Sequence, residues 1–151
     1  GYQDAEALYL ELESNVITQI CDDLEHGSKK DKPVVVDTTG SLIYLEETLL
    51  KRLRKLTRTV LLNVPVDKHE ELFATYLQDP KPVIWNGKYL PSEGEIPQKS
   101  LSRCYRELLS FRNKRYALMS DFQLDYSFHH SSGTTVEDVL ELVGSSLKQK
   151  A

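Results

Sequence analysis

The sequence has few cysteines, no long apolar run and no excess of positive charge. Cys21 and Cys104 lie far apart and neither belongs to a CxxC pair, so a structural zinc site is not expected and reduced thiols are. Every apolar run is shorter than the roughly 18 residues that a membrane-spanning helix needs. The formal net charge of −4 argues against nucleic acid or an anionic membrane as a partner. We therefore expect a protein of the cytoplasm, or of the stroma or matrix of an organelle.

The length and composition predict one globular domain over residues 1–151. A hydrophobic content of 40% over 151 residues is ordinary for a folded domain and argues against disorder. The segment Asp79–Pro97 is rich in proline and glycine and is longer than most connecting loops. Because loops of this length commonly cover or form binding sites, we predict a lid-like segment here. A plain connection is the alternative.

Helical and strand patterns alternate along the chain. Apolar periodicity predicts helices at Asp4–Leu24, Glu46–Arg58, Asp67–Gln78, Ser100–Met119 and Thr134–Leu147, and apolar or alternating runs predict strands at Val34–Val36, Thr59–Pro65 and Asp121–Phe128. Capping boxes, Asp67 with Glu70 and Thr134 with Glu137, mark the start of two of the helices. This order predicts an α/β fold, a three-layer parallel sheet with helices on both faces.

A phosphate-binding loop is missing from this pattern. Asp37 ends the apolar run Val34–Val36, a position typical of magnesium and phosphate chemistry in α/β proteins that handle nucleotides. Such a strand normally works beside the motif Gly-x-x-x-x-Gly-Lys-Ser/Thr. The pair Gly87-Lys88 has proline at position 82 and tyrosine at position 89 where the motif needs glycine and a small hydroxyl. We interpret it as a chance match.

Five short motifs follow one another along the chain. They are Tyr2-Gln3-Asp4-Ala5-Glu6, Val34-Val35-Val36-Asp37-Thr38-Thr39-Gly40, Leu62-Asn63-Val64-Pro65, Lys81-Pro82 and Arg112-Asn113-Lys114-Arg115-Tyr116-Ala117-Leu118-Met119-Ser120-Asp121. In order and spacing they resemble the "FRxxE", "TGGG", "LDAP", "RP" and "RxPLYxExAD" motifs of shikimate kinase and related small P-loop kinases. The resemblance covers nearly all 151 residues and implies the C-terminal portion of that fold, without its N-terminal strands and phosphate loop.

The resemblance implies roles for six residues. It makes Asp37 catalytic and a ligand of magnesium through water, and Lys81 a contact of the ATP phosphates. It also implies a substrate site for a small anionic hydroxylated molecule, formed by Thr38, Thr39, Gly40 and Arg112. The residues by themselves leave simpler roles open: Asp37 with Thr38 and Gly40 can form a turn, and Arg112 can lie on a solvated helix face. Six basic residues against one acid between Lys99 and Arg115 favour an anionic ligand.

Two functions remain open. In the first, the chain is a portion of an ATP-dependent small-molecule kinase that is inactive alone and is completed by a missing N-terminal segment or a second copy. In the second, it is a non-catalytic binding or assembly module on the same scaffold. Asp37, Arg112 and Tyr116 favour the kinase. The module is favoured by the departures from the family motifs, at Gln3, Thr38, Thr39 and Lys81.

Overall fold

A computed structural model describes residues 1–27 and 33–148. The helices are α1 Tyr2–His26, α2 Glu47–Leu56, α3 His69–Gln78, α4 Pro97–Met119, α5 Tyr126–His129 and α6 Val136–Lys148, and the strands are β1 Val60–Leu62 and β2 Phe122–Leu124. Short 3-10 turns lie at Leu42–Tyr44 and Val66–Lys68. In this described part of the chain, every helix is too short or too polar to cross a membrane.

The predicted three-layer parallel sheet is wrong. The described residues are mostly helical, and their single sheet consists of β1 and β2, paired in parallel with Val60 opposite Phe122. A strand persists only where another strand accepts and donates its backbone hydrogen bonds. Within the described ranges, Val34–Val36 makes no backbone hydrogen bond and is extended coil, with Val35 95% exposed. The apolar triplet therefore forms no strand, because no described residue pairs with it.

The third predicted strand also ends earlier than expected. Residues Asp121–Phe128 contain only the three-residue strand β2, and α5 begins at Tyr126. The carbonyl of Asp125 accepts hydrogen bonds from the amides of Phe128 and His129 at 2.9 and 3.1 Å. These local hydrogen bonds start a helix at Tyr126. The strand predicted from the alternating side chains is therefore too long.

The five predicted helices are present, but both predicted capping boxes are wrong. At the start of α6 the reciprocal bonds join Thr135 and Asp138, one residue later than predicted, at 2.8 and 3.2 Å. Asp67 lies in a 3-10 turn ahead of α3, and the carboxylate of Glu70 pairs with Arg106 on α4 instead. Capping depends on backbone geometry that two residue types at the right spacing do not determine.

The main core lies between α1, α2 and the turn that precedes α2. Its buried members are Ile17, Cys21, Leu42, Leu45, Leu50 and Leu53. The apolar ladder of α1 is on one face, but its first three residues, Leu8, Leu12 and Val16, are 56%, 56% and 54% exposed. The core receives Ile17 and Cys21 from α1, with Leu10 and Ile20 packed against it. The described residues leave the apolar stripe of Leu8, Leu12 and Val16 uncovered.

A contact between Thr59 and Asp121 holds the two strands in register. The Thr59 amide donates to Asp121 Oδ2 at 3.0 Å, and the Thr59 hydroxyl lies 2.9 Å from both Asp121 Oδ2 and the Met119 carbonyl, to one of which it donates. The Thr59 carbonyl accepts from the amides of Asp121 and Phe122 at 2.9 and 3.1 Å. Burial raises the pKa of Asp121, but the Thr59 hydrogen bonds and the charges of Arg54 and Arg58 outweigh it, so the net pKa is lowered. The carboxylate is therefore the form that the fold stabilises.

We expect Asp121→Ala to lower the free energy of unfolding by about 1–3 kcal/mol, because it leaves the Thr59 amide without its acceptor, whereas the Thr59 hydroxyl keeps the Met119 carbonyl. Since the folded pKa is below the unfolded one, the contribution is complete above the unfolded value of about 3.9 and disappears as pH falls through the folded value. Urea unfolding across pH measures both effects. Asp23→Ala, at an exposed position on α1, is the control, with a change of about 0.5 kcal/mol or less. Equal stability of the two variants would contradict the role of Asp121.

Candidate functional site

Arg112 on α4 lies where three separate parts of the chain meet. Its Nη2 donates a hydrogen bond to the carbonyl oxygen of Ile84 at 2.7 Å. Its Nη1 lies so close to Gly40 that a Cβ built there would be 2.7 Å away. Its guanidinium carbon is 5.7 Å from the ring centre of Tyr44, within the range of cation–π attraction. The structure thus brings together two residues of the predicted substrate site, Gly40 and Arg112.

Two buried polar atoms at this site lack hydrogen-bond partners among the described residues. They are Arg112 Nε and Tyr44 Oη. Buried donors are almost always satisfied by protein or water, and an unsatisfied one costs about 1–3 kcal/mol. The ring of Tyr44 stacks on Phe111, with centres 6.3 Å apart and planes at 11°, so the phenol is held in place. Two positioned polar groups are therefore buried without a hydrogen-bond partner among the described residues.

Tyr116 lies one helical turn beyond Arg112 and adds a third polar group. Its hydroxyl would be 3.8 Å from a Cβ at Gly40. Burial raises its pKa to about 12, with Arg112 opposing that rise and Tyr44 and Glu13 adding to it. The phenol therefore stays protonated at neutral pH, where it can donate or accept a hydrogen bond.

The hydroxyl of Thr39 is already engaged by α1. It donates a short hydrogen bond to Glu13 Oε1, and the buried Ser41 donates to Glu13 Oε2 at 2.7 Å. The two hydroxyls are themselves 2.8 Å apart. Glu13 therefore connects the segment that precedes α2 to α1. The predicted contact of Thr39 with a substrate stays a prediction. Thr38 beside it is exposed to solvent.

Asp37 and Lys81 lie on the surface. The described residues offer Asp37 no hydrogen-bond partner, and its side chain is exposed. Lys81 pairs with Asp79 at 2.6 Å, with the two side chains 73% and 72% exposed. The described part of the chain also holds no group of three or more histidine, cysteine, aspartate or glutamate side chains that could bind a metal. These residues do not by themselves form a site for Mg²⁺ or for the phosphates of ATP.

Ion pairs neutralise part of the predicted basic region on α4. Arg103 pairs with Glu95 at 2.7 Å and with Glu107 at 3.3 Å. Arg106 pairs with Glu70 on α3. The hydrogen bonds from Arg103 are the main reason that the pKa of Glu95 falls to about 2. The local positive field is therefore weaker than the residue count suggests. Arg112 has no carboxylate partner in the described residues and, unlike Lys99, Lys114 and Arg115, is partly buried.

The lid-like segment is bound to both long helices. At one end, the backbone of residues 83–86 contacts Tyr2 and Glu6 on α1. At the other end, Arg103 on α4 donates to the carbonyl of Leu90 at 2.9 Å. Between them, the ring of Trp85 lies 6.4 Å from that of Tyr105, edge to face. The segment has no helix or strand of its own between residues 79 and 96, and side chains of α1 and α4 hold it.

Several residues of the site were not predicted as members. Glu13, Tyr44 and the Ile84 carbonyl became apparent only from the folded arrangement, since none belongs to a motif. Tyr2 and Glu6 had a signal, because residues four apart on a helix share a face. Both lie in the first motif of the family resemblance, but their contact is with the lid-like segment.

Comparison with known proteins finds no matching family model, no matching curated protein and no matching solved structure. These results neither support nor contradict the resemblance to the shikimate kinase family. The geometry around Arg112 is therefore the main basis for a functional proposal.

We expect Gly40→Ala to displace the guanidinium of Arg112, because the added methyl would lie 2.7 Å from Nη1. Loss of the bond to Ile84 should lower the free energy of unfolding by about 1 kcal/mol and shift the NMR resonance of the Arg112 Nε–H. Gly144→Ala on α6 is the matched control, since outside its own stretch of helix no described residue has an atom within 4 Å of a Cβ at this position. That substitution should be neutral or stabilising. An unchanged Arg112 resonance in Gly40→Ala would contradict the close contact.

Proposed function

We propose that this chain is a portion of an ATP-dependent, shikimate kinase-like small-molecule kinase, and that it supplies the binding site for the phosphoryl acceptor. The observation that carries the proposal is the partly buried guanidinium of Arg112, which lies against Gly40 and whose buried Nε has no hydrogen-bond partner among the described residues. A cation in this setting favours an anionic group that accepts several hydrogen bonds at once. The acceptor is therefore a small hydroxylated molecule with a carboxylate or phosphate group.

The neighbouring groups fit such a ligand. Arg112 supplies charge, and the hydroxyls of Tyr44 and Tyr116 supply neutral donors or acceptors that suit alcohol groups. The ring of Tyr44, which stacks on Phe111, lies beside Arg112 and gives the site an apolar surface. A site of low dielectric strengthens the attraction between the guanidinium and an anion.

ATP and Mg²⁺ belong to the proposal as ligands of the completed protein. The described residues lack a metal cluster and a phosphate loop, so we infer that another polypeptide segment or a second copy supplies them. The outer edge of β1 supports this inference. Among the described residues its backbone bonds join β2 on one side only, and Val60 and Leu62 are exposed. An unpaired apolar edge is suited to accept a further strand.

The cellular setting follows from the same features. Both cysteines, Cys21 and Cys104, are buried in the described part of the chain and form no disulfide. Reduced thiols are typical of the cytoplasm, so we propose that location. The acidic net charge gives no reason to include nucleic acid or a membrane among the partners.

A non-catalytic binding or assembly module is the second candidate. It is favoured by the engagement of Thr39 with Glu13 and of Lys81 with Asp79. Both contacts use groups that a kinase would direct to its substrate or to ATP. The module would keep the anion site at Arg112 and use the uncovered apolar surfaces for assembly.

Arg112→Ala should weaken binding of an anionic hydroxylated molecule by about 1.5–3 kcal/mol, the worth of a hydrogen bond to a charged group. Calorimetry with inorganic phosphate and with a hydroxylated cyclohexane carboxylate measures the change. Arg115→Ala is the matched control, because it removes the same charge from an exposed position of the same helix. Equal affinities of the wild type and Arg112→Ala would exclude Arg112 from the site.

The purified chain should not transfer phosphate from ATP, because it lacks a phosphate loop. A segment that carries Gly-x-x-x-x-Gly-Lys-Ser/Thr, if one is encoded upstream, should restore turnover when it is added or fused. A coupled assay of ADP release measures both cases. Turnover by the chain alone would overturn the first expectation. Absence of such a segment from the encoding gene would leave the binding module as the function.

A further inference from the structure

Arg112 presents two hydrogen-bond donors on one side edge of its guanidinium, Nε and Nη2. This edge matches the two oxygens of a carboxylate or of one face of a phosphate, which accept both bonds at once. In the structure a single oxygen, the carbonyl of Ile84, accepts from Nη2 at 2.7 Å. Nε is buried and has no partner among the described residues. The edge is therefore half satisfied, by an acceptor that belongs to the chain itself.

Side chains of α1 hold the backbone on both sides of Ile84. The amide of Trp85 donates to the Tyr2 hydroxyl at 2.9 Å, and the amide of Asn86 donates to Glu6 Oε2 at 2.9 Å. The Tyr2 hydroxyl lies 2.5 Å from Glu6 Oε2 and 2.8 Å from the carbonyl of Val83. A phenol has one hydrogen, so Tyr2 donates to one of these acceptors while it accepts from Trp85.

A tight turn at Trp85–Lys88 follows Ile84 and includes the Asn86 amide that contacts Glu6. Asn86 and Gly87 both have positive φ, 47° and 72°, and the Lys88 amide donates to the Trp85 carbonyl at 3.0 Å. Two successive residues in the left-handed region reverse the chain tightly. The reversal leaves the Asn86 amide directed to Glu6. The position of Ile84 is thus determined by its neighbours.

We propose that the Ile84 carbonyl occupies the place of the ligand's anionic group and that Tyr2 and Glu6 form a latch that keeps it there. The inference rests on the proposed anion site at Arg112. A carboxylate or phosphate binds by displacing the carbonyl, so that both Nε and Nη2 are satisfied. The apparent affinity is then lowered by the fraction of molecules in which the latch is closed. Tyr2 and Glu6 set that fraction without touching the ligand.

Trp85 provides a direct reporter, since it is the single tryptophan of the sequence and lies within the latched segment. Inorganic phosphate and a hydroxylated cyclohexane carboxylate should each change its fluorescence on binding to the full chain. Tyr2→Phe and Glu6→Gln should tighten binding, each by about fivefold, the factor that corresponds to one typical net hydrogen bond. Tyr9→Phe and Glu11→Gln make the same chemical changes at exposed positions of the same helix and should leave affinity unchanged.

Hydrogen exchange tests the latch without a ligand. The amides of Trp85 and Asn86 should exchange faster in Tyr2→Phe and Glu6→Gln than in the wild type and in the two control variants. Unchanged exchange at both amides would overturn the latch. This measurement also shows whether each variant remains folded, because the amides of the α1–α2 core should keep their protection.

The outcomes separate the latch from the anion site. If both anions bind in a manner that depends on Arg112, but the latch variants bind no more tightly and Trp85 does not respond, the latch is wrong and the proposed site stands. If neither the wild type nor the latch variants bind either anion, the proposed function and the latch both fail. Tighter binding by the latch variants that Arg112→Ala abolishes would support both.

Discussion

The hydrogen bond between Arg112 and the Ile84 carbonyl connects most of the features of the site. A guanidinium that leaves water needs acceptors or an aromatic face in exchange. At Arg112 this replacement is incomplete. The Ile84 carbonyl accepts from Nη2 and the ring of Tyr44 lies within cation–π range, but Nε has no hydrogen-bond partner among the described residues. Arg112 binds the lid-like segment through Ile84 and lies against Gly40. Side chains of α1 hold the residues next to Ile84. A charge held in this partly satisfied state is a natural place for an anion.

The architecture consists of a helical core with a small parallel sheet at its side. A two-stranded sheet is marginal by itself, and here the hydrogen bonds between Thr59 and Asp121 fix its register. The α1–α2 core includes the buried Cys21 and Leu53 and has no residue of either strand among its members. The uncovered stripe on α1 and the open edge of β1 are both apolar. Their presence agrees with a chain that is completed by further polypeptide, which is part of the proposed function.

Some of this could be predicted, and the reasons differ from one element to another. Helices such as α1 and α4 could be predicted from the spacing of their apolar residues, because a helix has 3.6 residues per turn in any tertiary context. The prediction of a strand at Val34–Val36 is wrong, because a strand needs a partner strand, and the residues of one segment do not identify that partner. The capping box at α6 was displaced by one residue to Thr135 and Asp138, since neighbouring threonines offer equivalent side chains.

The site divides in the same way. The resemblance named Gly40 and Arg112 as members of one substrate site, and the structure places them close together, while their binding of a substrate stays a prediction. The sequence by itself also determined the helices, the absence of a phosphate loop and the acidic character of the chain, because these depend on local pattern or composition. Only the tertiary structure decided that Glu13 engages Thr39, that Ile84 occupies an edge of Arg112 and that Tyr2 and Glu6 hold the lid-like segment. Those contacts join residues from 26 to 83 positions apart, and their geometry exists only once the helices have packed.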